Sequence, residues 1–164
     1  MMHRSKLSLA FAALATGSAL GACSIATPFQ GRIGQAPAEQ HEEPVVVAIT
    51  HARLGSNLAA NVDLREKIGR VVKPAEHQPG YFGHALRRTL LGDETWTINV
   101  WQDEKSLMAF VRSDARQRAV REGAGALAEV RFARVSVECT ALPLGWDRAE
   151  KLLTATAAEP AVLR

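Results

Sequence analysis

Two short runs constrain this chain more than any other feature: VVVAIT, Val45–Thr50, and ETWTINVW, Glu94–Trp101. In an extended strand successive side chains point to opposite faces. The first run is apolar on both, with Val46 and Ala48 opposing Val45, Val47 and Ile49. In the second, Trp96, Ile98 and Val100 share one face, while Thr97, Asn99 and Trp101 share the other. A sheet containing such strands needs cover on both sides, because an exposed apolar face of several hundred Å2 is a liability for a lone subunit.

The segments around these runs set the order of elements. Gly55-Ser56-Asn57 supplies a turn and an N-cap, after which Leu58, Val62, Leu64, Ile68, Val71 and Val72 recur at helical spacing until Pro74. Gly69 weakens that helix by about 1 kcal/mol relative to Ala. The loop PAEHQPG leads into a strand, YFGHALRRTLL, and Leu91-Gly92-Asp93-Glu94 is a hairpin link to the returning strand. Asp103 caps a helix carrying Leu107, Phe110 and Val111 on one stripe. Ser113-Asp114 forms a second cap, so a break is expected before the turns that run to Glu122 and end at Gly123-Ala124-Gly125. A last strand spans Glu129–Thr140, and a short helix follows Trp146 to about Leu153. The order is βαββαβ plus a C-terminal helix: an α+β, ferredoxin-like fold with helices on one face of a four-stranded antiparallel sheet. The second face is apolar, and pairing two sheets face to face in a homodimer is the simplest way to hide it.

The stretch TWTINVWQDEKSLMAFVRSDARQRAV resembles the dimeric α/β-barrel proteins related to the antibiotic-biosynthesis monooxygenases, in which a strand ending in Trp leads through an acidic turn into an amphipathic helix. The resemblance spans about Pro44 to Thr140, and Leu142–Ala149 is similar to the C-terminal helix of uncharacterised members. It implies the same fold and a superfamily of mixed activities. The small haem-degrading members use a first-strand Asn, a helix Trp and a His ten residues beyond. This chain has Thr50 or His51, Phe110 and Val120 at those places, and Arg116 where many relatives carry a His after the helix Ser. The resemblance therefore implies neither haem nor any other cofactor, and it transfers no catalytic residue outright.

The N-terminus carries an address. His3, Arg4 and Lys6 precede an apolar run from Leu7 to Leu20, too short for a membrane span at about 14 residues where roughly 20 are needed. It ends in Leu20-Gly21-Ala22-Cys23, which resembles the lipobox of bacterial lipoproteins. Ordinary cleavage after Ala22 is the alternative, though it would set Leu20 where a small residue is wanted. The resulting organisation is a signal peptide over 1–22, a lipidated (palmitate-bearing) Cys23 with a flexible tether to 43, one domain over 44–155, and a disordered tail over 156–164. Ser24 after the cysteine favours the outer over the inner membrane, facing the periplasm. Cys139 is then the one remaining thiol, read as a small buried hydrophobe within the last strand.

Charge and motifs narrow the function classes. The net charge of +3 falls to a balance of 18 basic against 17 acidic residues without Arg4 and Lys6, so no nucleic-acid footprint is present. There is no His-x-x-x-His, no Cys-x-x-Cys and no carboxylate cluster at ligand spacing, and no metal is expected. No Gly-rich phosphate loop or nucleophile elbow occurs either. Trp101 either packs at the sheet edge or forms a flat wall for an aromatic or polyketide-like ligand, with Asn99 offering a hydrogen bond to an enolate. Trp96 reads as plain core. His51 and His84 are partly exposed strand residues or proton carriers. They lie two strands apart, by about 9–10 Å, too far to share a metal. Phe110 joins Trp101 as a candidate ligand contact. Arg88 is either a cleft residue for an anionic ligand or a solvated rim charge.

Two functions fit. One is a cofactor-independent monooxygenase acting on a small aromatic molecule. The other is a non-enzymatic binding or interaction module of the cell envelope, which a chamber filled by the chain's own side chains would favour. The sequence leaves open whether the protein is catalytic.

Overall fold

The computed structural model describes residues 24–32, 43–56, 75–90 and 92–156. The expected signal segment with Cys23, the helix expected over 58–72 and the tail from 157 lie outside the described residues. Among those described, the elements are β1 (Ser24–Ala26), β2 (Gln30–Gly31), β3 (Val45–Leu54), β4 (Tyr81–Thr89), β5 (Glu94–Trp101), α1 (Glu104–Val111), α2 (Asp114–Gly123), β6 (Leu127–Val137) and α3 (Trp146–Ala155). All strand pairs are antiparallel, in the order β1-β4-β5-β3-β6, with β2 also on β4. The four long strands thus run β4-β5-β3-β6, the ferredoxin-like order.

The helix breaks fall where the caps predict. Asp103 accepts a hydrogen bond from the Ser106 N–H (2.7 Å) at the start of α1, and Ser113 accepts one from the Arg116 N–H (3.3 Å) at the start of α2. Several strand boundaries differ from expectation; β6, for one, begins at Leu127 rather than Glu129. β3 runs four residues past Thr50, because Ala52 and Arg53 continue to pair with β5 and β6. β6 ends at Val137 rather than Thr140, and Cys139–Ala141 form a 3-10 turn. Cys139 is therefore half-buried in a turn, its Sγ 3.7 Å from the Glu43 carbonyl oxygen, and not inside a strand.

The stretch read as a flexible tether is in part sheet. β1 pairs Ser24 with Thr89 and Ala26 with Arg87, and Thr27 exchanges two hydrogen bonds with the Leu86 backbone (2.8 and 3.0 Å). β2 pairs Gly31 with Gly83. Gly83 has φ of +151°, and a Cβ there would sit 2.7 Å from the Phe29 ring, so glycine is what lets this segment lie down on β4.

Each face of the sheet has its own cover. On one, Val45, Val47, Ile49, Ile98, Val100, Ala133 and Val137 form a core with Leu144 and with Ala149 and Leu153 of α3, and Phe29 packs at its margin. On the other, Ala48, Tyr81 and Trp101 pack with Ala75 and with Leu107 and Phe110 of α1. The Asn99–Trp101 face, expected to line a cleft between two copies, thus lies beneath α1, and the opposite face is covered by the chain's own C-terminal helix.

Candidate functional site

Register brings most of the sequence-derived candidates to the α1 side of the sheet. Asn99 lies directly opposite His84 on β4 and Ala48 on β3, and Ala48 in turn opposes Arg134 on β6. Directly opposed side chains have Cβ atoms about 4.5–5.5 Å apart, close enough for one ligand oxygen to meet two of them. The next row holds Tyr81, Trp101 and Val46. Trp101 is fully buried, stacked on Phe110 (centroids 5.1 Å apart) and edge-on to Tyr81 (5.0 Å). It packs as core beneath α1, and its ring faces are taken by its own neighbours.

Tyr81 was invisible as a site residue in the sequence. Three residues before His84, it should point to the opposite face of a regular strand. The register shift between Tyr81 and Gly83 returns it to the same face, a β-bulge re-aiming a side chain. Its hydroxyl oxygen lies 2.8 Å from His84 Nδ1. Burial pushes the Tyr81 phenol well above its usual range, with the nearby Glu76 adding to the shift. Burial likewise lowers the His84 pKa, which Glu76 partly offsets. The pair is therefore a protonated phenol beside a neutral imidazole. With Tyr81 donating to Nδ1, His84 carries its proton on Nε2 and presents a donor next to the Asn99 amide. Beside Tyr81, an open cleft of about 170 Å3 is lined by Gln30, Gly31, Arg32, Glu76, Tyr81 and Phe82.

His51 stands apart from this group. It lies on the α3 side, buried and stacked on Trp96 (4.2 Å, 23°), with Nε2 3.7 Å from Glu94. Burial lowers its pKa, against a raising pull from Glu94 and Glu129. Beside it the Arg87 guanidinium sits between the rings of Trp96 (5.1 Å) and Trp146 (5.0 Å) and pairs with Glu150 of α3. Trp96, expected as plain core, is thus one jaw of a clasp that fastens α3 to the sheet. No local signal announced it, since Arg87, Trp96 and Trp146 come from three separate elements. The two histidines lie two strands apart, on β4 and β3 with β5 between them, and on opposite faces of the sheet as well. Arg88, an anion-binding candidate, is exposed at the β1–β4 edge opposite Ile25, while Arg134 pairs with Glu104 of α1.

No protein-family profile and no curated protein matches this chain. Solved structures do. A candidate monooxygenase from Fusobacterium nucleatum superposes with a TM-score of 0.54 at 14% identity, covering 60% of this chain and 45% of that one. A candidate antibiotic biosynthesis monooxygenase from Nitrosomonas europaea gives 0.53 at 11% identity, covering 58% and 91%. SnoaB, a cofactor-independent oxygenase from Streptomyces nogalater, gives 0.50 at 16% identity, covering 56% and 91%. The chain spans about half the length of the Fusobacterium structure and of a candidate monooxygenase from Lactobacillus acidophilus that it also matches. At such identities the likeness speaks for architecture alone: the chain shares the α+β, ferredoxin-like fold of these structures.

Proposed function

We propose that the protein is a cofactor-independent monooxygenase of the bacterial envelope, acting on a small aromatic or polyketide-like molecule at the Tyr81–His84–Asn99 row. The observation that carries this reading is the buried Tyr81–His84 hydrogen bond placed directly opposite Asn99. In such chemistry the substrate supplies the electrons. An activated CH2 reacts with O2, one oxygen atom becoming the new carbonyl and the other leaving as water. The protein's part is to stabilise the enolate that reacts with oxygen and to keep water away. His84 Nε2–H and the Asn99 amide are the two donors for that enolate oxygen, and Tyr81 fixes the tautomer of His84. The cleft beside Tyr81, about 170 Å3, is smaller than the roughly 300–1,000 Å3 of sites for drug-sized ligands, which fits a small substrate.

In this reading Cys23 is lipidated and holds the domain at the outer membrane, facing the periplasm. A homodimer, where formed, meets through surfaces other than the α3-covered face. Oxygen uptake with anthrone or quinol substrates tests the assignment. Wild type should consume oxygen, and Asn99→Ala and His84→Gln should each lower kcat by about 10²–10³. Wild type inert towards every such substrate, like both variants, would overturn it. That outcome would favour a binding or interaction module instead. The observation on its side is that Phe110, Leu107 and Tyr81 pack around Trp101 on the face first expected to hold a chamber.

A further inference from the structure

We infer that the corner of the sheet where β1 meets the end of β4 is a membrane-docking surface, so that the domain sits directly on the lipid and does not swing on a tether. The inference rests on the acylation of Cys23 proposed above. Ser24 is opposite Thr89 at the hairpin end of β4. An acyl group carried by the preceding residue therefore starts one Cα step, about 3.8 Å, from the sheet edge. The hydrogen bonds of β1, Thr27 and β2 to β4 fix the segment from Ser24 onward to the fold.

The surface at this point matches a lipid partner. Among the described residues the exposed large hydrophobics are Ile25 (48%) and Leu90 (47%). Ile25 faces Arg88 across the β1–β4 ladder, and Leu90 follows Thr89 directly, so the two lie diagonally adjacent beside the acyl origin. A single exposed apolar residue is ordinary, but two adjoining ones next to a lipid attachment point add to membrane binding at the place where one chain alone holds weakly. Arg88, exposed beside them, is placed to reach the headgroups. The rest of this end of the sheet is mixed in charge: Asp93 and Glu129 share Arg53, Glu94 lies next to them, and Arg131 opposes His51. With charges of both signs interleaved there, the contact at the corner is apolar in origin, through Ile25 and Leu90, and independent of anionic lipid.

The test uses the full chain, produced in a bacterium that processes lipoproteins and reconstituted in phosphatidylcholine vesicles with or without phosphatidylglycerol. An environment-sensitive fluorophore is attached at Leu90→Cys, or at Glu138→Cys at the far end of the sheet, both in a Cys139→Ala background. The expected result is blue-shifted emission and quenching by nitroxide lipids for the label at 90, neither for the label at 138, and the same behaviour in both vesicles. Ile25→Asp should reduce the quenching at 90. Mass spectrometry of the same preparation separates the two ways of failing. An unmodified Cys23 would overturn the anchor and the docking together, whereas an acylated chain with position 90 in water would overturn the docking alone. Quenching seen only with phosphatidylglycerol would overturn the apolar origin of the contact.

Discussion

His51 and His84 are 7% and 3% exposed on opposite faces of one sheet, and burial holds both below the ordinary histidine value of 6.5. A group whose folded pKa is depressed binds fewer protons in the fold than in the unfolded chain just below that ordinary value. Its contribution to stability is complete above about pH 6.5 and is lost as pH falls through the folded pKa. Thermal unfolding should therefore show a melting temperature that is flat above neutrality and declines on acidification below about 6.5. The double variant His51→Gln/His84→Gln should decline less steeply in that window, and an unchanged slope would contradict the assignment. At this scale the sequence was partly legible. Alternation correctly put Asn99 and Trp101 on one face and Trp96 on the other. It could not say which face the helices would take, so Trp101 looked available when it is core and Trp96 looked inert when it holds Arg87. Tyr81 escaped because a one-residue bulge, which leaves little trace in composition, reverses the parity of its strand.

Among the elements, α3 carries the most consequence. It presents Ala149 and Leu153, fully or almost fully buried, to the sheet face built from Val45, Val47, Ile49, Ile98 and Val100. At its start the Trp146–Arg87–Trp96 stack, with Glu150 completing the ion pair, fixes where the helix sits. The pairing with the half-exposed Glu150 adds little by itself, since solvent screens it. Packing therefore dominates. Leu153→Ala should cost about 2–4 kcal/mol in chemical denaturation, the range for deleting a buried Leu side chain where the cavity collapses only in part. A cost near zero would mean that α3 is not seated on the sheet. The existence of this helix was legible from Trp146 onward, and its destination was not. Helical spacing reports that one stripe is apolar but not which of two apolar sheet faces receives it. The short strands β1 and β2 were hidden for a related reason: SIATPFQG has no periodicity, and only Gly83 and Gly31 opposite one another make room for it.

For the molecule as a whole, the βαββαβ order and its antiparallel sheet followed from the two periodicities and the caps, and solved structures of the same architecture agree with them. What periodicity could not decide is how a sheet that is apolar on both sides is completed. From the sequence, a second copy of the chain is the simplest cover. In the structure the same need is met within one copy, by α3, Leu144 and Phe29. That difference moves the proposed chemistry from between two sheets to beneath α1, and it makes α3 the guard against association through the sheet. Sedimentation velocity across the micromolar range, comparing a chain of residues 24–164 with one ending at 144 and with Leu153→Asp, measures this directly. The account predicts that both changes strengthen self-association by roughly tenfold or more, a shift of about 1.4 kcal/mol or greater. Association of equal strength in all three chains would contradict the sealing of the sheet by its own C-terminal helix.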